Sequence, residues 1–221
     1  MQTVLFGLVE VLFCFSAVVL IEKLLGKEGV YGWVGFALLF ANIQTLKIID
    51  LPVLGSTTMG TVLFASLFLS MDILNEKYGA EYANKAVWVA GVTGLAMFVM
   101  GNLTLLFQPG EFDWVNASLC DVLNYAPFMT LVSVLCMMAA NFMDVRIFSA
   151  LRNRFPDKLW LRNNVSTIIC NLSENLVFYM ICLCPLYGLV NTLYMVAVLC
   201  VVEAVLALLD TPFLYLSKRL N

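Results

Sequence analysis

The sequence predicts an all-α integral membrane protein with seven spans, and three observations predict it. Hydrophobic residues make up 62% of the 221 positions and charged residues 12%, against about 45–50% and about 25% in soluble domains. Mean hydropathy is +0.93. Seven apolar runs approach the roughly 20 residues a helix needs to cross the hydrocarbon core, and eleven of the twelve lysines and arginines fall on one side of them.

The runs cover about 3–21, 30–48, 57–76, 85–107, 126–148, 165–184 and 190–216. The first contains Glu10, has no basic segment before it and shows no small-residue cleavage site. It reads as a retained span rather than a signal peptide. The second carries "ALLFA" at 37–41, a small-xxx-small face suited to close helix packing. Connections are short except 108–124 and 149–164, which leaves residues 1–221 as one polytopic domain with no room for a soluble one.

Orientation follows the basic residues. Lys23 and Lys27 follow span 1, and Lys77 and Lys85 follow span 3. Arg146, Arg152, Arg154, Lys158 and Arg162 end and follow span 5, and Lys218 and Arg219 end the chain. All fall on one side, which places the N-terminus outside and the C-terminus in the cytoplasm. Lys47 is the exception, with Asp50 three residues on as an expected partner. The outer segment "FQPGEFDWVNASLCDVLNYAP" is acidic and aromatic. Phe112, Trp114 and Tyr125 are expected at the interface, on a lid or a short surface helix.

The chain has no histidine, which removes imidazole from any metal site, general base or Ser-His-Asp triad. Its seven cysteines form no CxxC pair, and all but Cys120 sit in apolar runs, where cysteine packs as a small hydrophobe. No metal or cofactor is expected, and no nucleic-acid partner. No Walker motif is present, so the chain does not itself hydrolyse ATP.

Charges inside spans are costly and face the bundle interior or a water-filled cavity. Asp72, Asp144 and Asp210 end three spans at similar depth. Asp72 has Asn75 and Glu76 on its own helix face, and Gly79 beyond them is a natural helix stop. That pattern alone fits a helix end meeting water. Span 6 is harder to read that way. "STIICNLSENLVF" sets Thr167, Asn171, Glu174 and Asn175 on one stripe. Glu174 lies roughly 13 Å along the axis from Val165, near mid-bilayer, with no basic residue in its span. A deep carboxylate without a cation is hydrogen-bonded, protonated or reserved for a ligand. Asn141 and Asp144 share a face of span 5, Asn42 lies in span 2, and Glu203 is a further mid-membrane acid in span 7. Together these outline a cavity for a small polar solute with several donors.

In order along the chain, "ANIQTLKIID" (41–50), "DILNEKYG" (72–79), "NFMDVRIFSALRN" (141–153) and "LWLRNNVSTIICNLSENLVF" (159–178) resemble the queuosine-precursor transporter family. The blocks are spread over roughly residues 30–185. Asp72, Glu76, Tyr78 and Gly79 match its acid-x-x-x-Glu-x-Tyr-Gly segment. Arg162, Asn163, Ser166 and Thr167 match an Arg-Asn…Ser-Thr segment. Where the family has Gln-x-x-Asp twice, this chain has Asn141 with Asp144 and Asn171 with Glu174. Carboxamide replaces carboxamide and carboxylate replaces carboxylate, with changed side-chain length.

The resemblance implies a six-helix transporter core, here spans 2–7, with span 1 as an extra N-terminal transmembrane helix. It implies a bacterial cytoplasmic membrane and uptake of a 7-deazaguanine base such as preQ0, preQ1 or queuine for tRNA modification. The residue chemistry agrees, because one carboxylate can accept the adjacent ring N–H and amino group of a guanine-like edge. Substrate is expected at Glu174, Asn171, Asn141, Asp144, Asp72 and Asn42. Glu76, Arg162, Arg146 and Lys47 are expected in gating or bracing. A homodimer is one assembly the chain allows. The alternatives are an ion-coupled transporter of another small polar solute or vitamin, an intramembrane aspartyl enzyme, for which no GxGD segment exists, and a purely structural membrane protein.

Overall fold

Long apolar stretches without proline fold as helices, because only a helix satisfies its own backbone in a medium without water. The computed structural model describes residues 2–51, 55–124, 127–182 and 184–220. Eight helices and one short hairpin follow in order: α1 Gln2–Thr45, β1 Ile48–Leu51, β2 Gly55–Thr58, α2 Thr61–Lys77, α3 Ala80–Leu105, α4 Asn116–Asn124, α5 Pro127–Arg154, α6 Leu159–Cys182, α7 Cys184–Tyr187 and α8 Leu189–Arg219. Four of them, α1, α3, α5 and α8, are long and apolar enough to cross a membrane by length and composition. Many of their large apolar side chains point outward, among them Phe6, Phe13, Leu24, Trp88, Val92 and Leu208. This is a helical, multi-pass membrane protein.

The expected spans 1 and 2 are joined more tightly than a loop would allow. Helix runs up to and on from Gly26, where a single residue at φ 63°, ψ −154° breaks it, a conformation that glycine adopts without steric cost. The two halves fold against each other, since Nε2 of Gln44 donates to Glu10 at 2.8 Å. Glu10 is thereby met within the helix pair.

The sequence missed the hairpin. β1 and β2 pair antiparallel, Ile48 opposite Thr58 and Leu51 opposite Gly55. Residues 48–51 and 55–58 are short β-branched runs around a glycine, a strand signal hidden inside hydropathy. α2 therefore begins at Thr61 rather than near 57. Gly60 sits directly under α1, where a Cβ would lie 2.5 Å from the Ala41 carbonyl oxygen and from Thr45 Oγ1. The expected Lys47–Asp50 pair and the interfacial Tyr125 fall outside the described side chains. The outer segment folds in part as α4, preceded by Asp113, whose Oδ1 accepts from the amides of Val115 and Asn116 at 3.2 and 3.0 Å. Phe112 and Trp114 are fully outward.

α2 is the centre of the bundle. It packs on α1, α3, α5 and α8, and every residue from Ala65 to Glu76 is buried. Trp33 Nε1 donates to Ser66 Oγ at 3.1 Å, tying α1 to it. Gly79, at φ 105°, turns the chain from α2 into α3, and its amide donates to the Leu74 carbonyl at 3.0 Å.

Gly60→Ala is expected to lower the thermal midpoint of the detergent-purified protein, by the equivalent of about 1–3 kcal/mol, because backbone cannot move aside as a side chain can. Gly32→Ala, where the new methyl meets nothing within 4 Å, should leave the midpoint unchanged or raise it. Equal midpoints for the two variants would contradict the packing described here.

Candidate substrate site and inner charge cluster

A helix buried on every side carries no polar residue without consequence, because each buried polar group needs a partner. α2 carries Asp72, Asn75 and Glu76 in its last turns. Asn75 finds α5. Its Nδ2 donates to the Val145 carbonyl at 3.2 Å, Ser149 Oγ donates to its Oδ1 at 3.1 Å, and Arg152 donates to its backbone carbonyl at 2.9 Å.

Glu76 finds α6 and α8. The Arg162 guanidinium, 1% exposed, lies 3.1 Å from Oε2, and Lys218 Nζ lies 2.6 Å from Oε1. Arg152 approaches to 3.8 Å. Arg162 also stacks its charge over the Phe148 ring at 5.4 Å, a favourable cation–π geometry. Next to this cluster, Glu22 of α1 receives Lys77 at 2.7 Å, the Tyr78 hydroxyl at 2.9 Å and Ser217 Oγ at 3.3 Å. Burial, with the Glu22 carboxylate accepting its proton and repelling a phenolate, pushes the Tyr78 phenol up to about 12. Tyr78 is thus a neutral donor throughout the physiological range. These contacts gather Lys77, Arg152, Arg162 and Lys218 at one end of the bundle. Arg146, expected beside them, is exposed, and Lys47 is exposed in the turn after α1.

Further along the same helices the chemistry changes. Asp72, Asp144 and Asp210 are each at most 1% exposed and lie within electrostatic range of one another. Asp210 Oδ1 accepts from Asn163 Nδ2 at 2.6 Å. Thr211 Oγ1 receives the Asn163 and Asn164 amides at 3.2 and 2.7 Å. The carboxyls of Asp72 and Asp144 face each other, with Ser166 beside Asp144. Yet no well-formed hydrogen bond from another described residue reaches any of their four oxygens. Asn141 is also fully buried. Its Nδ2 donates back to Met137 at 2.8 Å, and its Oδ1 is unpartnered.

α6 links these groups to a third set. Cys170 lies in electrostatic range of Asp72, Asp144 and Glu174. Glu174 is half-buried and neighbours Glu203 of α8, which accepts a hydrogen bond from Asn175. Asn171, one turn before, is buried with an unpartnered Oδ1. The stripe on α6 therefore reads Arg162, Asn163, Ser166 and Thr167, Cys170 and Asn171, Glu174 and Asn175. Its successive members lie three or four residues apart on one face. Asn42 stands apart from it on α1, donating to the Leu38 carbonyl at 2.9 Å. A groove of about 560 Å³ along α1, lined by Ile21, Leu25, Gly32, Trp33 and Phe36 with Glu28, is mostly apolar and offers little to a polar solute.

Sequence reasoning missed Glu22, Asn163 as the partner of Asp210, and Lys218 as a partner of Glu76. The partners are 47 to 195 residues apart along the chain. The one signal available was position, since all stand within a turn or two of the basic end of their helices.

Comparison with known proteins decides the family. The profile of the family described as "Putative vitamin uptake transporter" matches residues 58–217. The chain is 32% identical over 208 residues to a probable queuosine precursor transporter of Bacillus subtilis strain 168, covering 93% of this chain and 90% of that one. The chain belongs to the vitamin uptake transporter family. A queuosine precursor transporter of Escherichia coli K12 is 25% identical over 155 residues, 67% of this chain and 66% of that protein. No solved structure matches the chain. For a vitamin uptake transporter, the matched region holds everything from α2 to α8, and with it all three polar sets except Glu22 and Lys218.

Removing the carboxylate from Glu76 strands a guanidinium that is otherwise cut off from water. Glu76→Gln should destabilise the purified protein by about 3–5 kcal/mol. Lys218→Ala should cost no more than about 1 kcal/mol, because the half-exposed lysine is screened by solvent. Thermal unfolding monitored on both variants checks the ranking, and a reversed order would remove Arg162–Glu76 as the central pair.

Proposed function

We propose that the chain imports a queuosine precursor, a 7-deazaguanine base, across the bacterial cytoplasmic membrane. The observation that carries this reading is the stripe on α6. It sets the carboxamides of Asn163 and Asn171 and the carboxyl of Glu174 along one face, beside the buried carboxyls of Asp72, Asp144 and Asp210 on α2, α5 and α8, and several of these groups lack hydrogen-bond partners. An interior group left unpaired costs roughly 1–3 kcal/mol, so a fold keeps several of them together where a ligand meets them. The two relatives named as queuosine precursor transporters support the same substrate class.

In this reading Glu174 accepts the ring N–H and exocyclic amino group of the base. Asn171 and Asn141 orient its carbonyl and remaining polar atoms. Asp72 and Asp144 form the inner part of the site. Glu76 and Arg162 brace its cytoplasmic end. The chain is one polytopic domain of seven crossings, the first added to a six-helix core, with the N-terminus outside. The gathering of basic residues at one end of the bundle supports that sidedness. Catalysis is not part of the proposal.

Two measurements test it. In a bacterium lacking its own transporter and fed one precursor at a time, expression of this chain should restore queuosine in tRNA. No restoration with any precursor would count against the substrate class. Glu174→Gln should fold normally yet bind the base roughly a hundredfold more weakly, because one acceptor becomes a donor facing the base's own donors and the charge assistance is lost. Unchanged affinity would remove Glu174 from the role.

A further inference from the structure

Apart from Arg162 Nε and the Thr167 hydroxyl, the buried polar atoms left unpartnered around α6 are carboxyl and amide oxygens. Both oxygens of Asp72 and of Asp144, Oδ2 of Asp210 and the amide oxygens of Asn141 and Asn163 are buried acceptors. The amides are not free to turn their donors inward. Nδ2 of Asn141 is held by the Met137 carbonyl and Nδ2 of Asn163 by Asp210. Asn141 also lies three residues before Asp144 on α5, so its free oxygen belongs to the same helix face. The charges that act on Asp72 are all carboxylates, those of Asp144, Asp210 and Glu76. The nearest cation along α6, Arg162, is already held by Glu76.

A neutral base satisfies one end of this arrangement and not the other. Its N–H and amino edge suits Glu174, but it brings no positive charge to the facing pair Asp72 and Asp144. A protonated amine brings both charge and two or three N–H donors to a place where donors are what the fold lacks. The spacing is consistent. Cys170 lies near both carboxylate sets, and Glu174 follows it by one turn, about 6 Å along the axis. A bicyclic base with its donor edge at one end and an amine-bearing arm at the other spans the two sets.

We propose that the site selects bases carrying a protonated amine, the arm seated between Asp72 and Asp144 while the base edge rests on Glu174. The inference rests on the base-import reading above and narrows it by charge.

The test is equilibrium binding of four probes to the full-length protein in detergent. PreQ1 and queuine carry a protonated amine; preQ0 and guanine are neutral. The proposal expects the two cations to bind at least about tenfold more tightly than the two neutral bases, as a charge-assisted contact requires. Equal affinity for all four would overturn the charge selection and leave base import standing. No binding of any of the four would overturn both. In Asp144→Asn, preQ1 should lose more affinity than preQ0, so the ratio shrinks. If that variant keeps the full wild-type ratio, the amine does not sit at the Asp72–Asp144 pair.

Discussion

The helix at the centre of the bundle is buried on all sides and still carries three buried polar residues, Asp72, Asn75 and Glu76, in its last two turns, and the architecture around it follows from that constraint. Several of the helices around α2 supply polar partners. α1 gives Trp33 to Ser66, α5 gives Val145 and Ser149 to Asn75, and α6 gives Arg162 to Glu76. A carboxylate with a guanidinium at 3.1 Å, both cut off from water, fixes the relative position of α2 and α6. A buried pair of this kind is weak evidence for net stability, since desolvation offsets much of the attraction. Its effect is register: it holds Arg162 of α6 against Glu76 of α2.

With the register of α6 fixed, the rest of its polar face is placed. The next residue, Asn163, reaches Asp210 on α8. One turn on, Ser166 lies beside Asp144 on α5. The charged groups nearest the basic end are ion-paired within the protein, while the carboxyls of Asp72 and Asp144 deeper in the bundle have no cation beside them and keep spare acceptors. In the proposed reading, that contrast separates the interior groups that hold the fold together from those that meet a solute.

Hydropathy and basic-residue placement made the helices and the gathering of charge at one end legible, because both depend on local sequence and on the solvent. The long helix α1 was read as two spans, and the break at Gly26 proved to be one residue of left-handed backbone. The hairpin at 48–58 was missed because it falls mostly in the connection between two expected spans, with strands of four residues each, too short to show a period of their own. In the site, Glu174, Asn171 and Asp144 stood out because polar residues at helical spacing in an apolar run are costly. Nothing in the sequence could reveal that Asp72 faces Asp144, or that Glu22 receives Lys77 and Ser217, because those neighbours come from helices whose relative rotation is set only by packing. Arg146 looked as eligible as Arg162 by spacing; one turns outward and the other inward, which depends on helix phase rather than on residue type.

The most direct measurement of the central claim is an experimental structure of the protein with preQ1 bound. The account predicts density for the base among α2, α5, α6 and α8, with its donor edge at Glu174 and its opposite end toward Asp72 and Asp144. Density for the base in the apolar groove along α1, with the α6 stripe untouched, would contradict it.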